Sequence, residues 1–418
     1  MRINRYRIRA NDDLSRGKMA TEKKKKTTGH SCPNCLSPGM VEFHRLENVP
    51  VHSVLNISTR EKALDFDTGD ISLGFCDRCG FISNLNFDPD LLNYSSNCEE
   101  SQGYSPVFSA YAERMAKDLI EKYDLRGKMI IEIGCGKGDF LSLLCHLGKN
   151  RGVGFDPAYV KGRDLEDSSD RVLFINDFYS EKYIEYQGDL IVCRMTLEHI
   201  KETKNFIGIV RRSIKEGQET VVFFQVPNVV RILRACSFED IYYEHCSYFS
   251  PGSLARLFRQ SGFDIINIKT EYADQYILIE AKPVNGDNPA RASLEDDLEN
   301  LKTYIRAFQS NYKTKLAYWK DRLQDYKTKN KRSVIWGAGS KGVAFLTTLK
   351  AYDEIEYAID INPYRQNSYM AGTGQKIIAP GQLKEYRPDI VIVMNPVYLK
   401  EIEKNLQQMS LTPELLSL

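Results

Sequence analysis

Residues 128–139 read Lys128-Met129-Ile130-Ile131-Glu132-Ile133-Gly134-Cys135-Gly136-Lys137-Gly138-Asp139. Met129 to Ile133 form a short, mostly apolar run of the kind that makes a buried parallel strand. Glycines at alternate positions break it, and Phe140, Leu143, Leu144 and Leu147 then recur at helical spacing. Strand, glycine turn and amphipathic helix make the first βα unit of a nucleotide-binding α/β fold. Glycine lets backbone approach a ligand, and the start of the helix offers it free N–H groups.

The residues that follow extend the pattern. A second strand, Gly152 to Phe155, ends at Asp156, about 20 residues beyond the turn, where a carboxylate can accept from both hydroxyls of a ribose. Val172 to Ile175 leads into Asn176-Asp177, and Asp189 to Cys193 into Arg194-Met195-Thr196-Leu197-Glu198-His199. Val221 to Val226 runs into Pro227-Asn228. Polar residues thus follow each strand at its carboxyl end, where open α/β sheets hold ligands. The spacing of Gly134, Gly136 and Gly138 is GxGxG, not the GxGxxG suited to a dinucleotide pyrophosphate. With Glu132 two residues ahead, it resembles the first motif of class I S-adenosylmethionine methyltransferases. The resemblance implies that Glu132 orients the turn and the methionine end of the cofactor, that Asp156 binds the ribose, and that Asp177 approaches the adenine. Arg194 joins the same cofactor-binding set. The plainer alternative is that these acids only cap helices or pair at the surface.

Upstream, Cys32-Pro33-Asn34-Cys35 and Cys76-Asp77-Arg78-Cys79 are two CxxC knuckles about 40 residues apart. Each tight turn can present two thiolates, and two turns complete a tetrahedral four-sulfur site for a structural zinc, with no open position for catalysis. Val51 to Ile57 and Ile71 to Phe75 read as strands of this module. Ten cysteines without an export signal point to a reducing, cytoplasmic setting, where paired cysteines hold metal more often than they form disulfides.

At 418 residues the chain exceeds one ordinary core. The organisation expected is a disordered basic tail over residues 1–30, a zinc-binding module and active-site cover over 31–100, and a cofactor-binding α/β domain over 101–288. A helical linker over 289–330 and a Rossmann-like domain over 331–418 complete it. The net charge of +1 gives no overall drive towards nucleic acid or an anionic membrane, so neither is an expected partner. A small-molecule substrate is, with the chain a monomer or homodimer.

The richest cluster of chemistry is Tyr242-Tyr243-Glu244-His245-Cys246-Ser247-Tyr248-Phe249-Ser250, after the Pro227-Asn228 strand end. Methyl transfer to carbon needs a base to make an enolate, and an imidazole takes and returns protons near neutrality. His199 and Glu198 form a second polar pair beside the same cleft; His199, starting a helix at a strand end, reads as structural.

The two CxxC knuckles, the Ile131-Glu132-Ile133-Gly134-Cys135-Gly136-Lys137-Gly138 loop, Leu197-Glu198-His199-Ile200, and Tyr242-x-Glu244-His245 with Tyr248-Phe249-Ser250 together resemble one family. It is that of the zinc-containing C-methyltransferases of nucleotide-linked keto-deoxysugars, and the likeness runs from about Cys32 onwards. It implies that His245 removes the proton beside the sugar's ketone, with Tyr242 and Glu244 lining the pocket and positioning substrate or base. Two positions depart from the family pattern. Gln225 stands where a glutamate is common, and Cys98 where relatives usually carry an aromatic. The alternative acceptor is an oxygen, a nitrogen or a non-sugar carbon acid.

Ser293 to Tyr326 carries apolar residues at three-or-four spacing, which predicts a long bracing helix, with a break possible and Ser293 and Asp296 as a capping box. Beyond it, Ser333 to Trp336, then Gly337-Ala338-Gly339-Ser340-Lys341-Gly342, then Tyr357 to Asp360 form a βαβ unit with GxGxxG spacing. That is the rival signal, for a nicotinamide oxidoreductase. It is weakened by a domain that has room for only half a dinucleotide fold and by the absence of a hydride-transfer site. Lys341 and Arg365 suit either a phosphate or a solvated surface.

Overall fold

The strand Met129–Ile133 lies in the middle of a seven-stranded sheet. Across it the order is Phe263–Glu271, Tyr276–Pro283, Val221–Pro227, Leu190–Arg194, Met129–Ile133, Arg151–Phe155 and Val172–Ile175. The five strands from Val221–Pro227 onwards are parallel, and Tyr276–Pro283 inserts antiparallel beside Val221–Pro227. This hairpin distinguishes the sheet from the all-parallel dinucleotide order. A computed structural model describes residues 29–163, 170–284 and 291–418. The expected tail falls outside the described residues except for Gly29 and His30.

Both faces of the sheet are covered, as continuous apolar strands require. Ile130, Val192 and Phe223 pack under helices Pro106–Lys122 and Asp139–Gly148. Their neighbours Ile131, Ile191 and Phe224 point the other way, against helices Thr203–Arg212 and Pro251–Gln260. The strands therefore open their carboxyl ends to one edge, where the polar residues collect.

The N-terminal module is a four-stranded antiparallel sheet ordered Val41–Pro50, Thr68–Phe75, Ile82–Asn84 and Ser247–Tyr248. Its fourth strand comes from the segment carrying His245, so the module and the His245 loop are one piece of structure. The expectation of a strand over Val51 to Ile57 is corrected. That segment makes only isolated bridges, at Leu55 and Ile57, because His52 and Ser53 are turned to side-chain hydrogen bonds inside the protein. The strand lies earlier, at Val41–Pro50.

The long helix runs over Leu298–Thr328, about 46 Å at 1.5 Å per residue. Leu301, Ile305 and Phe308 bury against the N-terminal sheet, and Trp319 and Leu323 against the C-terminal domain, so it does brace the molecule. The break falls at Asp296–Asp297, after a short turn over Ser293–Glu295. The Ser293/Asp296 capping box is not formed. Glu295 instead accepts from the backbone N–H of Ala292, and Asp297 from that of Gly252.

The C-terminal sheet is ordered Lys376–Ile378, Tyr357–Ile359, Ser333–Trp336, Ile390–Val393 and Glu414–Ser417, all parallel. It is fuller than the half fold expected. The strands missed are three or four residues long, too short to show a period.

Candidate active site

The carboxyl ends of both parallel sheets face one cavity of about 1290 Å³. That exceeds the roughly 300–1,000 Å³ of a single small-ligand pocket and leaves room for two ligands side by side. One end is the Gly134–Gly138 turn. Gly134 and Gly138 hold φ of 71° and 88°, and a Cβ at Gly138 would lie 2.5 Å from the Phe174 ring, so only glycine closes this turn. Asp156 latches it: the N–H of Gly136 donates to Oδ2 at 2.8 Å, and that of Ala158 to Oδ1 at 2.7 Å. Each oxygen keeps a lone pair for a ligand.

Glu132 and Arg194 are fully buried beneath the turn, both lining the cavity. Arg194 donates through Nε to Gln225 Oε1 at 2.8 Å and lies over the Phe140 ring. Gln225 thus has a definite task at the position where it departs from the family pattern. Glu132 Oε2 and Arg194 Nη2 have no hydrogen-bond partner among the described residues. Burial pushes the Glu132 carboxyl up to about 8 against the pull of Arg194. A buried acceptor and a buried donor, each incomplete, are what a zwitterionic amino-acid end completes. These residues fit S-adenosylmethionine. Asp177 also lines the cavity but lies more open, its carboxylate taking the Tyr183 hydroxyl at 2.6 Å and Lys182 at 3.0 Å.

The centre of the cavity holds the imidazoles. Tyr242 Oη lies 3.0 Å from His245 Nε2, and the His199 ring stands edge-on to that of His245, 4.9 Å between centroids. The Tyr94 hydroxyl meets His199 Nδ1 at 2.9 Å. Burial lowers His245 well below the usual imidazole value, with His199 and Lys341 adding to it. It also raises the Tyr242 phenol. The phenol therefore stays protonated, and in the tautomer that carries the ring proton on Nδ1 it donates to Nε2, leaving Nε2 as the basic atom. His199 thus lies in this cluster. Glu198 is buried beside it, its carboxyl pushed up to about 8 by burial.

Glu244 lines the same cavity, with its carboxylate held away from His245. Its carboxylate accepts from His52 Nδ1 at 3.1 Å and from the backbone N–H of Ser53 at 2.9 Å, and it takes the Ser53 hydroxyl. The N–H of Asn93 donates to His52 Nε2 at 2.8 Å, which fixes His52 as the neutral tautomer carrying its proton on Nδ1. Glu244 thus ties the His245 loop to the N-terminal module, with its carboxylate hydrogen-bonded to His52 and Ser53 and not to His245. Sequence reading missed His52, Ser53 and Tyr94, since nothing local marks them.

The far end of the cavity is the second glycine turn, Gly337 to Lys341, with Asp360 accepting from the Ala338 N–H at 3.1 Å. Neither cation expected there is a solvated surface group. Lys341 pairs with Asp240, and Arg365 is buried with Nη2 donating to the Ala338 carbonyl at 2.7 Å.

The four cysteine sulfurs lie within 4.8 Å of one another, with Cys32–Cys79 and Cys35–Cys76 separations of 3.6 Å. Four thiolates at about 2.3 Å from one zinc stand about 3.8 Å apart, so the donor set fits that ion.

Comparison with known proteins agrees with this geometry. Residues 108–268 match a methyltransferase domain, and residues 290–412 the C-terminal domain of C-methyltransferases. C-methyltransferase NovU of Streptomyces niveus is 25% identical over 348 residues, spanning 79% of this chain and 81% of that protein. A ubiquinone biosynthesis O-methyltransferase of Burkholderia pseudomallei is 24% identical over 35% of this chain and 68% of its own length. Among solved structures, magnesium protoporphyrin IX methyltransferase of Synechocystis aligns over 43% of this chain and 84% of its own, at 13% identity and a TM-score of 0.34. No helix among the described residues is long and apolar enough to cross a membrane. With a methyltransferase domain spanning the first glycine turn and a C-methyltransferase domain spanning the second, the chain is an S-adenosylmethionine-dependent methyltransferase.

Proposed function

We propose that the chain methylates carbon, at a position beside the ketone of a nucleotide-activated keto-deoxysugar, with His245 as the base. The observation that carries this is a buried, neutral imidazole in the middle of a cavity with a nucleotide-type glycine turn at each end. One turn suits the methyl donor, the other the nucleotide of the acceptor. The cofactor, when bound, supplies an electrophilic methyl on a sulfonium. His245 Nε2 takes the α-proton of the acceptor, and the Tyr242 hydroxyl turns from Nε2 to the ketone oxygen, where negative charge develops. The enolate carbon would take the methyl that the cofactor supplies, with the sulfur keeping the bonding pair, and His245, left as an imidazolium, returns its proton to water. Burial of the site keeps bulk water from protonating the enolate first.

Incubating the enzyme with such a substrate in deuterated water, without methyl donor, is expected to exchange the α-proton. Methyl appearing on oxygen or nitrogen, with no exchange, would reject carbon chemistry and favour the O- or N-methyl alternative.

Asp156, Glu132, Arg194 and the turn glycines hold the cofactor in this reading, with Asp177 near the adenine. Asp156→Ala is expected to weaken S-adenosylhomocysteine binding roughly 10- to 100-fold, the loss of about 1.5–3 kcal/mol from hydrogen bonds to a charged group. Calorimetry reads the change directly. The same titration with NAD should leave the melting temperature of the wild type unmoved, while S-adenosylhomocysteine raises it; a shift with NAD alone would restore the oxidoreductase reading. Cys32, Cys35, Cys76 and Cys79 hold one structural zinc.

A further inference from the structure

We propose that Glu100, carried by the segment that covers the cavity, is a second carboxylate on the ribose of the methyl donor, set opposite Asp156. The inference rests on the reading of Gly134 to Gly138 as the cofactor's turn. No motif in the sequence marks Glu100, which lies between the N-terminal sheet and the helix starting at Pro106.

Glu100 lines the cavity, and its carboxylate sits directly over the turn: a Cβ on Gly136 would meet Glu100 Oε1 at 2.9 Å. Lys137 Nζ is 3.6 Å from Glu100 Oε2, while donating to the Ala158 carbonyl at 2.6 Å. The side chain of Glu100 keeps 38% exposure towards the cavity, yet enclosure by the cavity walls pushes its carboxyl up to about 7, with Lys137 pulling the other way and Asp156 adding to the rise. Two carboxylates therefore confront each other across the turn. Asp156 has taken its two backbone donors, and Glu100 has its own backbone N–H and the more distant ammonium. Like charges so placed are unfavourable unless donors come between them. A vicinal diol brings two O–H donors on adjacent carbons, one for each acid.

The position of Glu100 is secured by its neighbour. Glu99 faces the opposite way, buried, accepting from Arg163 at 2.7 and 3.1 Å and from Asn362 Nδ2 at 2.8 Å. Arg365 Nη1 donates to the Glu99 carbonyl at 3.0 Å, and the Arg163 guanidinium lies over the Tyr364 ring. The cover is thus fastened to both the cofactor domain and the C-terminal domain, so Glu100 is ordered before the ligand arrives.

The test pairs protein and ligand changes on the full chain. S-adenosylhomocysteine and its 2′-deoxy and 3′-deoxy analogues are titrated by calorimetry into the wild type, Glu100→Ala, Glu100→Gln and Asp156→Ala. In the wild type each lost hydroxyl should weaken binding. In Glu100→Ala the parent ligand should bind roughly tenfold more weakly, and one of the two deoxy penalties should shrink to less than about twofold, because its partner is gone. Glu100→Gln, which keeps the shape and an acceptor, should fall between. If both penalties persist unchanged in Glu100→Ala and Glu100→Gln, Glu100 does not touch the ribose and the proposal fails. If Asp156→Ala binds the parent ligand as tightly as the wild type, the cofactor reading of the turn fails instead.

Discussion

His245→Ala is expected to lower turnover by roughly 10²–10⁴-fold, the usual contribution of a positioned general base, while leaving S-adenosylhomocysteine affinity unchanged. The separation follows from the geometry. His245 contacts Tyr242 and His199 in the cavity, whereas the glycine turn proposed for the cofactor is latched by Asp156. Deuterium exchange into the acceptor should disappear together with methyl transfer. The variant's full activity would remove His245 as the base, and lost exchange with retained methylation would show that proton removal is not its task. The wild-type pH profile carries a further check. The lowered basicity of His245 keeps it unprotonated where an ordinary imidazole would take up a proton, so the acid limb of kcat/KM belongs on the acid side of the ordinary imidazole range. The groups facing it are Tyr242, Tyr248, His199, the more distant Lys341, and Glu198, whose carboxyl oxygen lies within 4.8 Å of a ring nitrogen and, pushed up to about 8 by burial, stays protonated on the acid limb. None of these supplies a negative charge that would raise it.

Removing the metal from the four-cysteine site is expected to have the largest effect on stability. Metal analysis should find about one zinc per chain, and chelation or Cys79→Ser should lower the melting temperature by roughly 10 °C or more, since structural zinc contributes folding free energy outright. The knuckles are not an appendage. Asn34 donates to the Ser253 carbonyl at 3.1 Å and accepts from the Thr203 hydroxyl at 3.2 Å, and Arg256 Nη1 donates to the Cys79 carbonyl at 2.8 Å. The site is thereby docked on the starts of two helices that cover the central sheet. Loss of the ion should also reduce activity, because the sheet it anchors includes Ser247–Tyr248, next to His245. A protein purified without zinc, or one whose melting is unchanged on chelation, would rule out the structural ion.

Much of this architecture is legible along the chain because its signals are local. A buried strand, a glycine turn and a helix follow one another within Met129 to Gly148, and the paired cysteines declare themselves by spacing alone. The Tyr242–His245 cluster is visible for the same reason. The role of Glu244 was not, since its partners His52 and Ser53 lie 192 and 191 residues away. His199 looked like a strand-end residue until the fold set its ring against that of His245.

Local order and residue chemistry were therefore enough for the class of fold, the first glycine turn, the cysteine set and the Tyr242–His245 cluster, because each depends on neighbours within one turn or strand. The direction in which Glu244 points, the fastening of the cover by Glu99, and the approach of Glu100 to Gly136 depend on segments brought together only when three sheets pack around one cavity. Periodicity reports which face a residue turns to the core. Which distant side chain waits there is decided by packing.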